Sequence, residues 1–293
     1  MSYDAPMTQS FLARHATLPV CVLLLGGAAC RDQAKVSASY AARDVADLAA
    51  LVDKDVSEVE RGLPEGARHL VPLLTGHTDL KQDVADVRRA LLRVRRDVMD
   101  LTMAKSTFFA LTDPTGVAIR NDLEQDVMAG QNLIAIFPAL SKATVGFVST
   151  VGAFPNVSTK NGPDRDWVAA VPVLREDGTL GALFVTGWTY RYFARHLQES
   201  LNDRLTVRAK SGEADGKLPV FYAFVFDETG VYGAPLTPAV DEKALATEDL
   251  EGKTASGPAH GAVTIDDRAF GFGAVRTPRL GPGVGLVVLR SEP

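Results

Sequence analysis

Arg165-Asp166-Trp167 is the one place in the chain where an arginine and a tryptophan stand a single residue apart. A guanidinium fork donates two parallel N–H bonds to a carboxylate, and an indole face beside it walls off water. That pair therefore suits a small carboxylate ligand. The competing reading makes Trp167 a core aromatic at the start of an apolar strand, with Arg165 a surface cation beside it. Trp188, Tyr190 and Tyr192 cluster twenty-odd residues further on, either as pocket walls or as the packing between one module and the next. Arg120 and Asp122 form a third polar group, either a pocket rim or a solvated strand end. Arg165, Trp167, Trp188, Tyr190, Arg120 and Asp122 are the ligand-binding candidates.

Covalent and metal chemistry find little support. The histidines, at 15, 69, 77, 196 and 260, have no His-x-x-x-His or Cys/His spacing, so no zinc site is expected. There is no Gly-x-Ser-x-Gly elbow and no phosphate-binding Gly-x-x-x-x-Gly-Lys loop. Gly271-Phe-Gly273 and Gly281-Pro-Gly-Val-Gly285 lie in strand and hairpin settings where glycine has backbone reasons. The acidic pairs Asp164/Asp166 and Glu176/Asp177 read as solvated loop. No catalytic residue, metal or cofactor is expected.

The elements that must position these residues belong to a chain of 293 residues, 46% hydrophobic and 23% charged, with a net charge of −5. That composition fills a core and excludes a disordered chain. A mildly acidic balance gives no reason to expect nucleic acid. The two cysteines, Cys21 and Cys30, exclude a disulfide scaffold.

Residues 1–29 read as a leader: Arg14, the apolar run Leu18–Leu25, then Gly26-Gly-Ala-Ala29 before Cys30. The run to Ala29 is shorter than the ~20 residues needed to span a bilayer. The Ala-Ala-Cys ending resembles a bacterial lipoprotein signal, which implies lipidation of Cys30. Plain secretion with cleavage near Ala29, or no processing, are the alternatives. The location expected is the cell envelope, lipid-anchored and periplasmic or outer-membrane associated.

Past the leader, an apolar stripe at Val45, Leu48, Val52, Val56, Val59 and Leu63 predicts a helix over 33–63, stopped by Gly62 and Pro64. A loop is expected to Thr78. Leu80, Val84, Val87, Leu91, Val94, Val98 and Leu101 then predict one long helix, capped by Thr78 or Asp79. Together these give a helical hairpin over 30–105. Its arginines, at 88, 89, 93, 95 and 96, either meet an anionic surface or pair with Asp83, Asp86, Asp97 and Asp100 on a solvated face.

From residue 106 strands and tight turns take over. Thr107–Thr112, Val117–Ile119, Gly146–Val151, Trp167–Leu174 and Leu180–Trp188 read as strands, with short helices near Leu123–Met128 and Phe137–Ala143. Tyr192–Val207 is helical, and the strand grammar then repeats. Asp227-Glu-Thr-Gly-Val231 matches Asp113-Pro-Thr-Gly-Val117 at an offset of 114 residues. After a helix expected over 239–250, Ala269–Val275 and Val284–Leu289 match the last two strands of the first copy, with a shorter middle. The fold class predicted is α+β: a long N-terminal helical hairpin, then two tandem PAS-like modules with antiparallel sheets, at 106–189 and 190–293.

This succession, with Phe108–Val117, Gly130-Gln-Asn-Leu133, Trp167–Val173, Asp177-Gly178 and Gly181–Val185, resembles the double Cache sensory domain of bacterial extracytoplasmic proteins. The resemblance implies binding of an amino acid, carboxylate or amine, usually in the membrane-distal module, and no catalysis. In amino-acid-binding members an Arg-x-Trp pair clamps the ligand carboxylate, which Arg165 and Trp167 spell, although Val168 replaces the usual tyrosine. Family members mostly carry a transmembrane helix and an output domain. This chain ends four residues past its last strand, so signalling is expected to pass through another envelope protein. The rival expectation is an envelope interaction or structural lipoprotein without a ligand.

Overall fold

The apolar stripe that begins before Val45 does not stop at Leu63. In the computed structural model, which describes residues 22–77, 79–154, 158–159, 162–211 and 218–293 (side chains of 22–32 and 158–163 excepted), helix α1 runs from Val22 to Gly76. Its 55 residues would extend about 80 Å if straight. Ala34, Ala38, Ala41, Val45, Leu48, Val52, Val56, Val59, Leu63, Ala67, Leu70 and Leu74 are all buried along one face. Pro64 and Pro72 lie inside this helix, each omitting one backbone hydrogen bond. The loop expected after Leu63 is therefore helix, because the stripe still has a sheet to cover. The glycines that suggested a stop are close-approach points. A Cβ on Gly62 would come within 2.7 Å of Leu101, and one on Gly66 within 2.7 Å of Phe184 and 2.8 Å of Val94.

The second arm is shorter than its heptad implies. Helix α2 spans Val84–Asp97, the backbone turns extended at Val98, and α3 is one turn, Met99–Met103. Asp79 receives Lys81 N–H in a local turn ahead of the helix, while Asp83 holds the cap position with its carboxylate bonded to His77 instead of to the helix N–H groups. Thr78 lies outside the described residues. Val87, Leu91, Val94, Val98 and Leu101 are buried against α1, so most of the seam is covered. Four of the five arginines meet acids: Arg88 with Glu124, Arg89 with Asp86, Arg95 with Asp122 and Arg96 with Asp97.

The first module comprises β1 (Phe108–Thr112), β2 (Ala118–Asn121), α4 (Leu133–Ile136), a 3-10 turn (Pro138–Thr144), β3 (Val148–Gly152), a two-residue ladder β4–β5 (Ser158–Thr159, Gly162–Pro163), β6 (Asp166–Leu174) and β7 (Leu180–Thr189). Helix α5 (Tyr190–Lys210) leads into β8 (Val220–Asp227), β9 (Gly230–Gly233), α6 (Ala239–Ala246), α7 (Leu250–Lys253), β10 (Ala259–Ile265), β11 (Arg268–Arg276) and β12 (Gly285–Ser291). The sheet orders are β2-β1-β7-β6-β3 and β9-β8-β12-β11-β10, antiparallel throughout. Leaving aside the two-residue ladder, both read 2-1-5-4-3. The repeat seen in the turns is thus a repeat of topology: α+β, with two tandem PAS-like modules.

One helix serves both sheets. The first half of α1 lies on β11, where a Cβ on Gly271 would sit 2.0 Å from Ala38 N and one on Gly273 would sit 2.5 Å from the Ala41 carbonyl carbon. Its second half covers the inner face of the first sheet. The outer face of that sheet carries a separate core of Phe108, Ala110, Val168, Ala170, Leu183 and Val185 under Leu133, Phe137, Leu140 and Phe154. The motif pair behind the family resemblance is a contact. Leu133 N–H donates to Gly116 O at 2.8 Å, and Val117 bridges Asn132.

Two further helix expectations change. Residues 123–128 form no helix. Asp126 accepts from the backbone of Asn121, Met128 and Ala129, and Asn121 from Leu123, and these local bonds displace helical ones. The helix expected over 239–250 is broken between α6 and α7. Strand β10, which no turn motif or apolar run announces, is an edge strand alternating between half-buried and exposed positions up to the buried Ile265.

Candidate functional site

Period-two alternation along β6 sends neighbouring side chains to opposite faces. Trp167, Ala169 and Val171 face the helices, whereas Val168 and Ala170 face the outer core. Trp167 is fully buried. It stacks on Trp188, its partner in the register, at 4.1 Å, and Trp188 stacks on Phe193 of α5 at 4.6 Å. Protein therefore occupies the indole faces. Tyr190, the first residue of α5, is buried edge-on against Tyr232 of the second module. Tyr192 is exposed.

Arg165 crosses between the modules. Its Nε lies 2.8 Å from Oδ2 of Asp227, the acid of the second repeated turn. The N–H points off the line between them, so the contact is an ion pair without a formed hydrogen bond. Asp227 uses its other oxygen for Thr229, accepting from the backbone at 2.8 Å and from the hydroxyl at 2.5 Å. The buried Tyr190 hydroxyl lies beside this pair, and burial, with the charge of Asp227 adding to it, holds its proton on. Next along the chain, Arg191 binds Glu242 through both Nη atoms, at 2.5 and 3.1 Å, and Gly233 O at 3.3 Å.

The turn-like spelling around Asp164 and Asp166 predicts a solvated loop, but both residues are buried, 4% and 5% exposed. Asp164 Oδ1 accepts from the N–H groups of Arg165 (2.8 Å) and Arg191 (3.3 Å), which ties the start of β6 to the start of α5. Asp166, paired across to Thr189, lies on the outer face with Val168 and accepts from the backbone of Phe154. Oδ2 of each lacks a well-aligned hydrogen bond among the described residues, although the Thr189 hydroxyl and the charge of Arg191 favour the Asp164 carboxylate. Burial raises both carboxyls. That of Asp166 is pushed up to about 7 by desolvation, with the neighbouring charge of Asp164 adding to it. Three carboxylates (Asp164, Asp227, Glu242) and two guanidinium groups (Arg165, Arg191) thus meet at a buried junction, with Asp166 beside Asp164 on the outer face. The signal was a D-R-D spelling whose significance depends on burial.

The remaining candidates lie elsewhere. Arg120 pairs with Asp126 at 3.0 Å, and Asp122 accepts from Phe109 N–H while its other oxygen sits 2.9 Å from Arg95 Nε. Strands β1 and β7 separate β2 from β6, a spacing of about 14 Å. Arg120 and Asp122 therefore do not join Arg165 and Trp167 in one small-molecule site.

Two sheets of identical strand order threaded on one long helix define the class: an α+β fold of two tandem PAS-like modules. No family model matches the chain, and no curated protein matches it. Among solved structures it is similar to an extracellular ligand binding receptor from Desulfohalobium retbaense, 13% identical with a TM-score of 0.48; the match covers 85% of this chain and 39% of that one. It is similar as well to the ligand-binding domain of a Campylobacter jejuni chemoreceptor in complex with L-valine. There the identity is 11%, the coverage 94% of this chain and 98% of that one, and the TM-score 0.48. A third is the ligand-binding domain of a Pseudomonas aeruginosa amino acid chemoreceptor in complex with GABA, 17% identical over 81% of this chain and 95% of that one, TM-score 0.36. These likenesses concern the fold. No helix among the described residues is long and apolar enough to cross a membrane.

Proposed function

We propose that the chain is a non-catalytic, lipid-anchored sensory protein of the cell envelope that recognises a small organic ammonium ion and acts through a partner protein. The observation that carries the ligand class is the buried acid couple Asp164/Asp166, of which Asp166 has no cation among the groups that shift its carboxyl. Two buried carboxylates, each with one oxygen lacking a well-aligned hydrogen bond, suit a group that brings positive charge and several N–H donors. A carboxylate ligand would set a further negative charge beside Asp166, whose carboxyl the charge of Asp164 already raises. Arg165, spelled as a carboxylate clamp, is already engaged by Asp227, so its role in this reading is to hold the modules together. The anchor rests on the leader ending in Ala-Ala-Cys30; residues 1–21 lie outside the described residues, and α1 continues back to Val22.

Melting and calorimetric titration of the chain with 1,4-diaminobutane, γ-aminobutyrate, L-valine and succinate tests the ligand. The amines are expected to raise the midpoint, and succinate to leave it unchanged. Affinity should fall as pH drops below about 7, where Asp166 takes up a proton. Asp164→Asn and Asp166→Asn should each weaken amine binding at least about tenfold, the loss of a charge-assisted bond. Indifference to all four compounds would favour the rival, an interaction protein without a ligand. The close apolar filling of the first sheet's outer face by Phe137, Leu140 and Phe154 supports that rival. Substituting Cys30→Ser should move the protein from the membrane to the soluble fraction, and retention would sink the anchor.

A further inference from the structure

Among the described residues, one cluster brings a histidine and two carboxylates together: His77, Asp83 and Asp86, with one donor atom of each within 4.8 Å of the others. His77 follows the last residue of α1, and the two acids open α2, Asp83 at the cap and Asp86 in the first turn. We propose that this elbow binds a divalent transition cation of the zinc type, with His77 Nε2 and Asp86 as protein ligands and Asp83 orienting the imidazole. The site is remote from the acid couple and owes nothing to the ammonium reading. Arg175, just past the end of β6, donates to Leu74 O near the end of α1, whereas Asp166 begins β6, about 25–30 Å away along the strand.

Asp83 takes one edge of the ring. Its Oδ2 lies 2.7 Å from Nδ1, a charge-assisted distance, so Nδ1 carries the hydrogen and donates it. In the neutral imidazole that leaves the lone pair on Nε2, which lies 3.7 Å from Oδ2 of Asp86. Two electron-rich atoms at that distance repel, and 3.7 Å is too long for the hydrogen bond an imidazolium would donate. A cation between them answers both points. With bonds of about 2.0–2.2 Å to nitrogen and oxygen it would subtend about 125°, an opening that four-coordinate zinc accommodates. A carboxylate behind a ligating histidine fixes its tautomer and raises the basicity of the other nitrogen. The mixed nitrogen and oxygen set suits zinc, whereas magnesium and calcium prefer oxygen alone.

The fold sets these donors before any ion arrives. Asp83 O accepts from the N–H groups of Asp86 and Val87 at 2.9 and 3.1 Å, and Val87 is buried in the same core as Leu74 of α1. The i, i+3 spacing puts both acids on one face of the first turn of α2. All three side chains are half-buried, so water can fill the remaining coordination positions. Two features hold the affinity down: Arg89 pairs with Oδ1 of Asp86, and the N-terminus of α2 carries partial positive charge. A micromolar site that fills and empties is expected, not a permanent structural zinc. The histidine and the acids stand on either side of the elbow, which is why no short His/Cys spacing announces the cluster.

The test is calorimetric titration of the whole chain, freed of metal with a chelator, using zinc chloride as the probe and magnesium chloride as the control. A single equivalent of zinc should bind and magnesium should not compete. Zinc at about a hundred times its dissociation constant should raise the melting midpoint by about 5–10 °C. His77→Gln and Asp86→Asn should each weaken binding at least about tenfold, and Asp83→Asn, which keeps the helix cap, by about 10–100-fold, the usual loss for an orienting partner. Asp79→Asn, an acid of the same elbow outside the cluster, should leave the affinity unchanged, which separates ligation from general surface charge. Zinc binding that survives His77→Gln, an equal loss in Asp79→Asn, or no binding below millimolar zinc overturns the proposal. Amine binding should be the same in His77→Gln as in the native chain, so each of the two ligand readings can fail alone.

Discussion

Replacing Gly273 by alanine will lower the melting midpoint of the chain by about 10 °C, and Gly271→Ala will lower it at least as much. An added Cβ at these positions would stand 2.5 Å from the carbonyl carbon of Ala41 and 2.0 Å from the nitrogen of Ala38. Both neighbours are backbone of α1, so no side-chain rotation relieves the contact. The helix must lift from β11, which loosens Ala38, Ala41 and Val45. It also pulls Asp44 from Arg290, a buried pair at 2.5 Å. Overpacking a core costs about 1–3 kcal/mol, and a backbone-on-backbone clash belongs at the upper end. In a chain of this size each kcal/mol moves the midpoint by about 2–4 °C. Gly146→Ala is the control, since a Cβ there meets nothing within 4 Å. Indistinguishable melts for Gly273→Ala and Gly146→Ala would mean that α1 does not lie this close to the second sheet.

Asp166→Asn will stabilise the chain at pH 8 and have little effect near pH 4. The folded carboxyl titrates at about 7, whereas an unfolded aspartate titrates at about 4. Between those values the native state binds more protons than the unfolded state, so this group's contribution to stability falls as pH rises through that window and levels off above it. About three pH units correspond to a cost on the order of 4 kcal/mol for the charged form, partly retained in the variant because the asparagine must also find partners. Asp44, Asp122, Asp164 and Asp241 are raised and act in the same direction. Asp97, Asp100, Asp113 and Asp177 are lowered and oppose them. The measurement is therefore the difference between the two proteins at each pH, taken from denaturant midpoints at a common slope. A difference independent of pH would show that Asp166 does not carry the charge. An ammonium ligand neutralising the pair should narrow the gap at pH 8.

The modular plan was legible because its signals are local. The two Asp-x-Thr-Gly-Val turns announce themselves by side chains that bond their own backbone, and by a glycine with positive φ at 116 and 230. The strands that carry such signals lie within a residue or two of where their spelling puts them, whereas the edge strand β10 carries none. Helix ends did not. Gly62, Pro64, Gly66 and Pro72 are poor helix residues in isolation, and the sheet and second helix they pack against outweigh that preference. Residues 123–128 erred the other way: a local Asp126 network outbid a helical spelling.

The candidate site divides along the same line. Sequence by itself determined that there are two related modules, where their turns fall, and that Arg165 and Trp167 stand beside a strand rich in apolar residues. Tertiary structure alone decided that Trp167 faces the helices and Asp166 the outer core, since alternation says only that they differ. It decided too that the turn of the second copy supplies the partner of Arg165, 62 residues further along. The exposed-looking acids at 164 and 166 became the least satisfied charges of the junction for a physical reason. Solvation and pairing are properties of neighbours in space, and those neighbours come from Phe154, Thr189 and the start of α5.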